Sequence, residues 1–183
     1  TLLAALCHCA DQTLRALLEQ FPLPKGAALA AVGGYGRGEL YPFSDVDLLI
    51  ILKDELDAQA EATLSGLVAA MWDVGLEPGY SVRTIEQCVK EAGADITVET
   101  SLLESRWIAG SKTLAKLFEK TMSERLNAQQ FFRAKRAEMQ QRHARHQETP
   151  YSLEPNCKES PGGLRDLQVI MWMARAAGFG SSW

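Results

Sequence analysis

The sequence predicts an α+β fold, mixed α/β in character, in which a small mixed sheet packs against helices. Two apolar runs, residues 28–32 and 46–52, and the short segment 80–84 have the length of strands rather than of helices. Between and around them lie apolar residues at helical spacing. With 183 residues, 46% of them hydrophobic, the chain is long enough to bury a core between these elements.

The N-terminal half alternates helices with these strands. An entry helix ends at Pro22-Leu23-Pro24, because proline interrupts helical hydrogen bonding. Thr84 is suited to cap a helix, with Gln87 three residues later as its partner in a capping box. We expect helices over 2–21, 57–73, 85–91 and 95–108, the last of them ending at Gly110.

For the C-terminal part of the chain, the sequence predicts helices and no strands. Residues 111–147 form a long polar helical pattern whose charges are typical of a solvated face. A loop is expected over 151–161, because Pro155 and Pro161 break helices, and an apolar helix follows over 167–177. We therefore divide the chain into a core with its N-terminal helix, 1–110, and a helical segment, 111–183, and expect both to be part of a longer protein.

Composition excludes several classes of function. A net charge of −4 argues against a general nucleic-acid binder, which ordinarily carries a basic surplus. No apolar run has the length of a membrane span, and no signal peptide is visible, so we expect a cytoplasmic protein without a membrane partner. The four cysteines lack paired spacing, and we expect free thiols, with zinc at Cys7-His8-Cys9 or at His143 and His146 the minority interpretation.

The most informative segment follows the first predicted strand. Gly33-Gly34 begins a tight turn in which backbone N–H groups can approach a phosphate closely. Asp45 and Asp47 then open the strand 46–52, and because side chains alternate along a strand, the two carboxylates face the same side. Like charges placed side by side favour a shared cation, and Mg²⁺ suits carboxylate oxygens and substrate phosphates.

The alternative interpretation of this segment is a simple turn followed by solvated aspartates at a strand edge. A dinucleotide-binding G-x-G-x-x-G motif is not matched, because the glycine spacing differs and a strand follows the segment. The Walker-type Gly-Lys-Ser/Thr sequence is absent as well. The glycine turn, Ser44 and the Asp-x-Asp strand in one register together favour a nucleotide-transfer site.

These residues carry a family resemblance. Gly33-Gly34 with Ser44-Asp45-x-Asp47 resembles the polymerase-β-type nucleotidyltransferase superfamily. More narrowly, the chain is similar to the bacterial family of PII uridylyltransferase/uridylyl-removing enzymes. The matching motifs, in order, are Val32-Gly33-Gly34-Tyr35-Gly36-Arg37-Gly38-Glu39-Leu40 with Ser44-Asp45-Val46-Asp47-Leu48-Leu49, then Gly79-Tyr80-Ser81-Val82-Arg83-Thr84, Leu102-Leu103-Glu104-Ser105-Arg106 and Ser160-Pro161-Gly162-Gly163-Leu164-Arg165-Asp166.

The resemblance implies a polymerase-β-like nucleotidyltransferase core that moves UMP from UTP to a tyrosine of the PII nitrogen-regulatory protein and releases pyrophosphate. It also implies that the helical segment 111–183 completes the cleft for the nucleotide and the protein substrate. It implies Mg²⁺ held by Asp45 and Asp47, which are also the catalytic pair. Superfamily members often supply a third carboxylate, for which Glu77, Asp95 and Glu104 stay open. The implied nucleotide-binding residues are Gly33, Gly34, Arg37, Ser44, Lys158, Gly162, Gly163 and Arg165.

Two alternatives stay open at this stage. A related transferase could move AMP to glutamine synthetase, and nucleotide preference discriminates between the two activities. A domain that senses nucleotide without transferring it is a different class of function, against which the intact Asp45 and Asp47 argue, because a sensor has no need of both metal ligands.

Overall fold

The computed structural model of the chain describes residues 1–145 and 156–180. The chain divides into two compact units, Thr1–Glu124 and Arg125–Trp183. The boundary expected at residue 110 stays a prediction. The assignment of residues 111–183 to a substrate cleft stays a prediction.

The first unit is built on a four-stranded mixed sheet with strand order β3-β2-β1-β4. The strands are β1 Ala28–Ala31, β2 Val46–Leu52, β3 Pro78–Thr84 and β4 Arg106–Gly110. β1 pairs antiparallel with both β2 and β4, whereas β2 pairs parallel with β3. The predicted mixed sheet is confirmed, and β3 lies beside the strand that carries the aspartates.

The helix expected over 95–108 is wrong in its second part, because residues from Arg106 onward form the strand β4. That segment contains a helix, α5 Ile96–Leu103, and then turns at Glu104 to enter the sheet. Ile108 is fully buried there and β4 pairs with β1. The aliphatic and aromatic residues that suggest a helix are equally suited to a strand, and pairing with β1 decides between the two.

The helices follow the predicted order with shifted ends. The capping box of Thr84 with Gln87 is present. The polar pattern 111–147 contains two helices rather than one, because Asn127 accepts a hydrogen bond from the Gln130 N–H and so caps a new helix. The bounds are α1 Leu2–Gln20, α2 Gly33–Gly36, α3 Ala58–Asp73, α4 Ile85–Ala94, α5 Ile96–Leu103, α6 Lys112–Arg125, α7 Ala128–Arg145 and α8 Leu164–Ala176.

The central strands β1 and β2 are buried on both faces, which explains their continuous apolar sequences. One face packs with α1 and α3 through residues such as Leu14 and Leu67. The other packs with α4, α5 and α6 through residues such as Cys88, Leu102 and Phe118. β2 is therefore held between two cores, and the start of this strand is a rigid support for side chains. No helix among the described residues is both long enough and apolar enough to cross a membrane.

Candidate active site

The two predicted carboxylates lie at the start of β2. Asp45 immediately precedes the strand and is exposed, whereas Asp47 is half-buried and is the one residue of β2 that is not buried. Val46, between them, is 2% exposed and faces the core. Alternation along the strand therefore directs Asp45 and Asp47 away from that core, as predicted.

Glycines surround the Asp47 carboxylate. A Cβ added at Gly79 would lie 2.7 Å from Asp47 Oδ1, and one added at Gly33 would lie 3.3 Å from Asp47 Oδ2. Gly79 is there because the parallel register pairs it with Asp47 across β2 and β3. Gly33 has a φ of +57°, which also favours glycine. The two glycines provide the space that the carboxylate occupies.

Sequence reasoning assigned no role to Gly79. The pairing of β2 with β3 brings together residues that are far apart in the chain, and one sequence does not reveal that register. An available signal was a glycine near the start of a strand, which often marks close approach of another group.

The glycine turn is a short helical turn, α2, attached to β2. The Val32 N–H donates to the Asp47 carbonyl at 3.0 Å. Within the turn, the Arg37 N–H donates to the Gly33 carbonyl at 3.0 Å and the Glu39 N–H to the Gly34 carbonyl at 2.9 Å. Gly33, at the start of the turn, thus lies beside the carboxylate of Asp47.

Arg37 and Ser44 differ in their surroundings. The Arg37 side chain is 10% exposed, and its guanidinium bonds to Glu39 Oε2 at 3.0 Å and to Glu104 Oε2 at 2.5 Å. Ser44 is exposed in the loop that leads to β2, and its N–H donates to the Tyr41 carbonyl at 3.1 Å. Ser44 lies next to Asp45 in the chain, whereas the Arg37 guanidinium already bonds to two carboxylates.

The three candidates for a further carboxylate occupy different environments. Glu104 is 2% exposed and bonded to Arg37. Asp95 is exposed and caps α5, where its carboxylate accepts from the Thr97 N–H at 2.7 Å. Glu77 is exposed, and its carbonyl accepts from the Val46 N–H at 2.8 Å, so its backbone lies beside that of Asp45. Among the three, Glu77 is the residue that strand pairing brings to the aspartates.

Lys158, Gly162, Gly163 and Arg165 belong to the second unit. The backbone donors of this turn are already used: Gly162 N–H donates to Asp166 Oδ2 at 2.7 Å and Gly163 N–H to the Ser160 carbonyl at 2.9 Å. Arg165 bonds to Glu159 and Gln168 and lies over the Trp172 ring. Lys158 is exposed. Any phosphate contact from this turn would therefore come from a side chain.

Asp166, in α8, bonds to α7 and to the turn that precedes α8. Its carboxylate accepts from Arg142 at 2.6 Å and lies 2.9 Å from His143 Nε2. Burial alone would raise the pKa of Asp166, but the bonds from Arg142, the Gly162 amide and His143 outweigh it and lower that pKa. His146, predicted to lie near His143, is outside the described residues. This arrangement indicates a structural role for Asp166.

The donor set of the first unit fits magnesium. Asp45 and Asp47 offer hard carboxylate oxygens on one side of β2, and Gly33 and Gly79 provide the space that the Asp47 carboxylate occupies. Mg²⁺ typically takes one or two protein carboxylates and completes its octahedron with water and substrate phosphates. In residues 1–145 and 156–180, no group of three or more His, Cys, Asp or Glu side chains is arranged to hold a metal, so the two aspartates alone carry this assignment.

The sequence of the chain matches two known protein families. The family described as a nucleotidyltransferase domain matches residues 10–105, and the family described as GlnD PII-uridylyltransferase matches residues 130–183. A crystal structure of a toxin-antitoxin with AMP-PNP is 18% identical over 61% of this chain and 82% of that one, at a TM-score of 0.39.

Curated relatives match the chain along its whole length. A bifunctional uridylyltransferase/uridylyl-removing enzyme of Bordetella avium (strain 197N) is 68% identical over 182 residues, and that of Burkholderia orbicola (strain AU 1054) is 56% identical over 183. In both cases the chain spans 21% of the length of the relative. The chain belongs to the nucleotidyltransferase domain family, and all of it is similar to one part of the bifunctional uridylyltransferase/uridylyl-removing enzymes.

Proposed function

We propose that this chain is the transferase part of a PII uridylyltransferase, which moves UMP from UTP to a tyrosine of the PII protein and releases pyrophosphate. The observation that carries the proposal is the Asp47 carboxylate between Gly33 and Gly79, two residues after Asp45. Uridylyltransferases that match the whole chain at up to 68% identity support this choice of substrates.

Asp45 and Asp47 would hold Mg²⁺, which neutralises charge that develops on the phosphates when it is bound. Gly33 and Gly34 have no side chains, so a triphosphate can approach the backbone of the turn. The first N–H groups of a helical turn have no intrahelical partners, which makes them donors for phosphate oxygens. Ser44 is a further donor next to Asp45. These residues bind and orient the nucleotide, while the acceptor hydroxyl attacks the α-phosphorus in line with the departing pyrophosphate.

The Arg37 guanidinium, unlike the Ser44 hydroxyl, already has carboxylate partners. A direct bond to phosphate would require its guanidinium to exchange the bonds to Glu39 and Glu104. Lys158 and Arg165 remain proposed nucleotide-binding residues because of their positive charge, and Gly162 and Gly163 belong to the same turn.

Glu77 is the third carboxylate that we favour, because Val46 pairs with Pro78 and so places Glu77 beside Asp45. There it can accept the proton of the acceptor hydroxyl. The test is Glu77→Gln. We expect a fall in kcat of about 100-fold and the loss of one limb of the pH profile, with little change in the KM for UTP. An unchanged pH profile would remove Glu77 from this role.

The test of the overall function is incorporation of label into purified PII protein from α-labelled UTP or ATP, with Mg²⁺ and the intact protein. Label from UTP is expected. Label from ATP alone would favour adenylyl transfer, the alternative of the glutamine synthetase type. Binding without label from either nucleotide would favour a sensing domain. A cytoplasmic location remains part of the proposal.

A further inference from the structure

The motif Glu104-Ser105-Arg106 has no part in the chemistry proposed above. It connects α5 to β4 and passes directly behind the glycine turn. Three consecutive residues of that turn, Tyr35, Gly36 and Arg37, each meet this segment.

The contact at Gly36 is between two backbones. A Cβ added to Gly36 would lie 1.8 Å from the Glu104 carbonyl oxygen and 3.0 Å from the Ala31 carbonyl oxygen. Real Cβ atoms do not approach so closely, and backbone atoms do not swing aside as side-chain ends do. The turn is therefore seated directly on the chain at Glu104.

The contact at Arg37 is a buried ion pair. Arg37 Nη1 lies 2.5 Å from Glu104 Oε2, with the two side chains 10% and 2% exposed. Charge-assisted bonds of this kind are stronger than neutral ones and are strongly directional. The Glu104 carboxylate thus bonds to a residue of the turn and is shielded from solvent.

The contact at Tyr35 includes a residue from the first helix. Arg106 Nη1 donates to Asp11 Oδ2 at 2.7 Å, and Arg106 Nη2 donates to Asp11 Oδ1 at 3.0 Å. The Tyr35 hydroxyl donates to Asp11 Oδ1 at 2.5 Å, and the Arg106 guanidinium lies 5.3 Å from the centre of the Tyr35 ring. Arg106 also reaches the Tyr35 carbonyl at 3.4 Å. We call Asp11, Tyr35 and Arg106 the clamp.

Contacts within the clamp determine the ionisation states of Asp11 and Tyr35. Burial alone would raise the pKa of Asp11, but the hydrogen bonds from Arg106 and Tyr35 outweigh it and lower that pKa. Burial, together with the bond to the Asp11 carboxylate, raises the pKa of Tyr35. Tyr35 is 1% exposed and Asp11 is 8% exposed. The carboxylate is ionised and the phenol is protonated, so the bonds persist across the neutral range.

We propose that the clamp and Glu104 position the glycine turn against the Asp47 carboxylate, and that all of these side chains are positioning residues. This inference rests on the proposed function for its effect on transfer. A segment with glycines at four of six positions, 33–38, loses much conformational entropy when it is ordered. Anchors at three consecutive residues offset that cost, and they fix the backbone to which a nucleotide phosphate would bind.

The test compares Tyr35→Phe with Tyr41→Phe in the intact protein. Tyr35→Phe keeps the buried ring and removes one hydroxyl, whereas Tyr41 is 44% exposed and lies outside the clamp. Amide hydrogen exchange is measured across 33–38 and, as an internal reference, across α3. We expect exchange at 33–38 to accelerate about tenfold in Tyr35→Phe, with α3 unchanged, and no acceleration in Tyr41→Phe.

Steady-state kinetics of UMP transfer provide the second readout. We expect the kcat of Tyr35→Phe to fall about tenfold, with the KM for PII unchanged. A second variant, Asp11→Asn, is expected to do the same, and because both act through one network, the double variant should be no slower than the slower single variant.

The two experiments distinguish failure of the proposed function from failure of the inference about the clamp. Absence of UMP transfer by the wild-type protein would refute the proposed function, while hydrogen exchange would still decide whether the clamp fixes the turn. Exchange at 33–38 that matches wild type in both Tyr35→Phe and Asp11→Asn would overturn the inference. So would independent, additive kinetic effects of the two substitutions.

Discussion

Gly79→Ala probes the site with a single methyl group. Gly79 lies within β3, where its backbone needs no positive φ, so alanine is compatible with the strand. Its Cβ would lie 2.7 Å from Asp47 Oδ1, about 0.7 Å short of ordinary contact, and the carboxylate must move by roughly that distance. Displacements near 1 Å cost on the order of 100-fold in rate when they disturb a reacting geometry. We expect kcat to fall by about 10- to 100-fold and the apparent affinity for Mg²⁺ to weaken.

The matched control is Gly66→Ala. Its Cβ would meet the Phe21 ring at 2.8 Å, a similar overlap that lies in α3 and does not involve Asp47. Thermal unfolding and UMP transfer are measured for both variants. We expect Gly66→Ala to change the melting temperature and leave the magnesium dependence alone. Wild-type kcat and magnesium dependence in Gly79→Ala would refute the reasoning, because the carboxylate would then tolerate the methyl group.

The remaining predictions concern stability and reactivity. Gly36→Ala should lower the free energy of unfolding by more than about 3 kcal/mol, because its methyl group meets backbone atoms, and urea denaturation measures this loss. The lowered pKa of Asp166 contributes stability that is present above pH 3.8 and is lost as the pH falls through the pKa of Asp166 in the folded protein. Asp166→Asn should therefore make the free energy of unfolding depend less steeply on pH in the acid range, as urea denaturation at several pH values would measure. Burial raises the pKa of Cys88 to about 11, so alkylation in the native state near pH 8 should label the exposed Cys9 and Cys157 first, with peptide mass spectrometry as the measure.

The sequence identifies the elements whose signals are local. Strand 46–52 agrees with the structure to the residue, and the capping box of Thr84 depends on side chains three residues apart. Asp45 and Asp47 are predicted to form a site because two aspartates on one face of an otherwise apolar strand are costly without a cation to neutralise them. These features require no knowledge of distant contacts.

The features that sequence reasoning missed depend on pairing between distant segments. β4 is a strand because it pairs with β1, and the pattern of a short apolar segment alone does not distinguish a strand from part of a helix. Gly79 is important because the register of β2 and β3 pairs it with Asp47. Glu104, a candidate base by its position in the chain, is buried against Arg37, which sequence separation conceals.

The central claim is that Asp45 and Asp47 hold the metal for UMP transfer. The most direct measurement is the rate of label transfer from UTP to PII as a function of Mg²⁺ concentration, for the wild type and for Asp45→Asn, Asp47→Asn and the double variant. Both side chains lie at the edge of β2 away from the core, so the fold should survive, as circular dichroism would show. We expect transfer to saturate with Mg²⁺ in the wild type and to fall by about 1000-fold or more in each variant. Transfer at the wild-type rate and with the same magnesium dependence in the double variant would contradict the account.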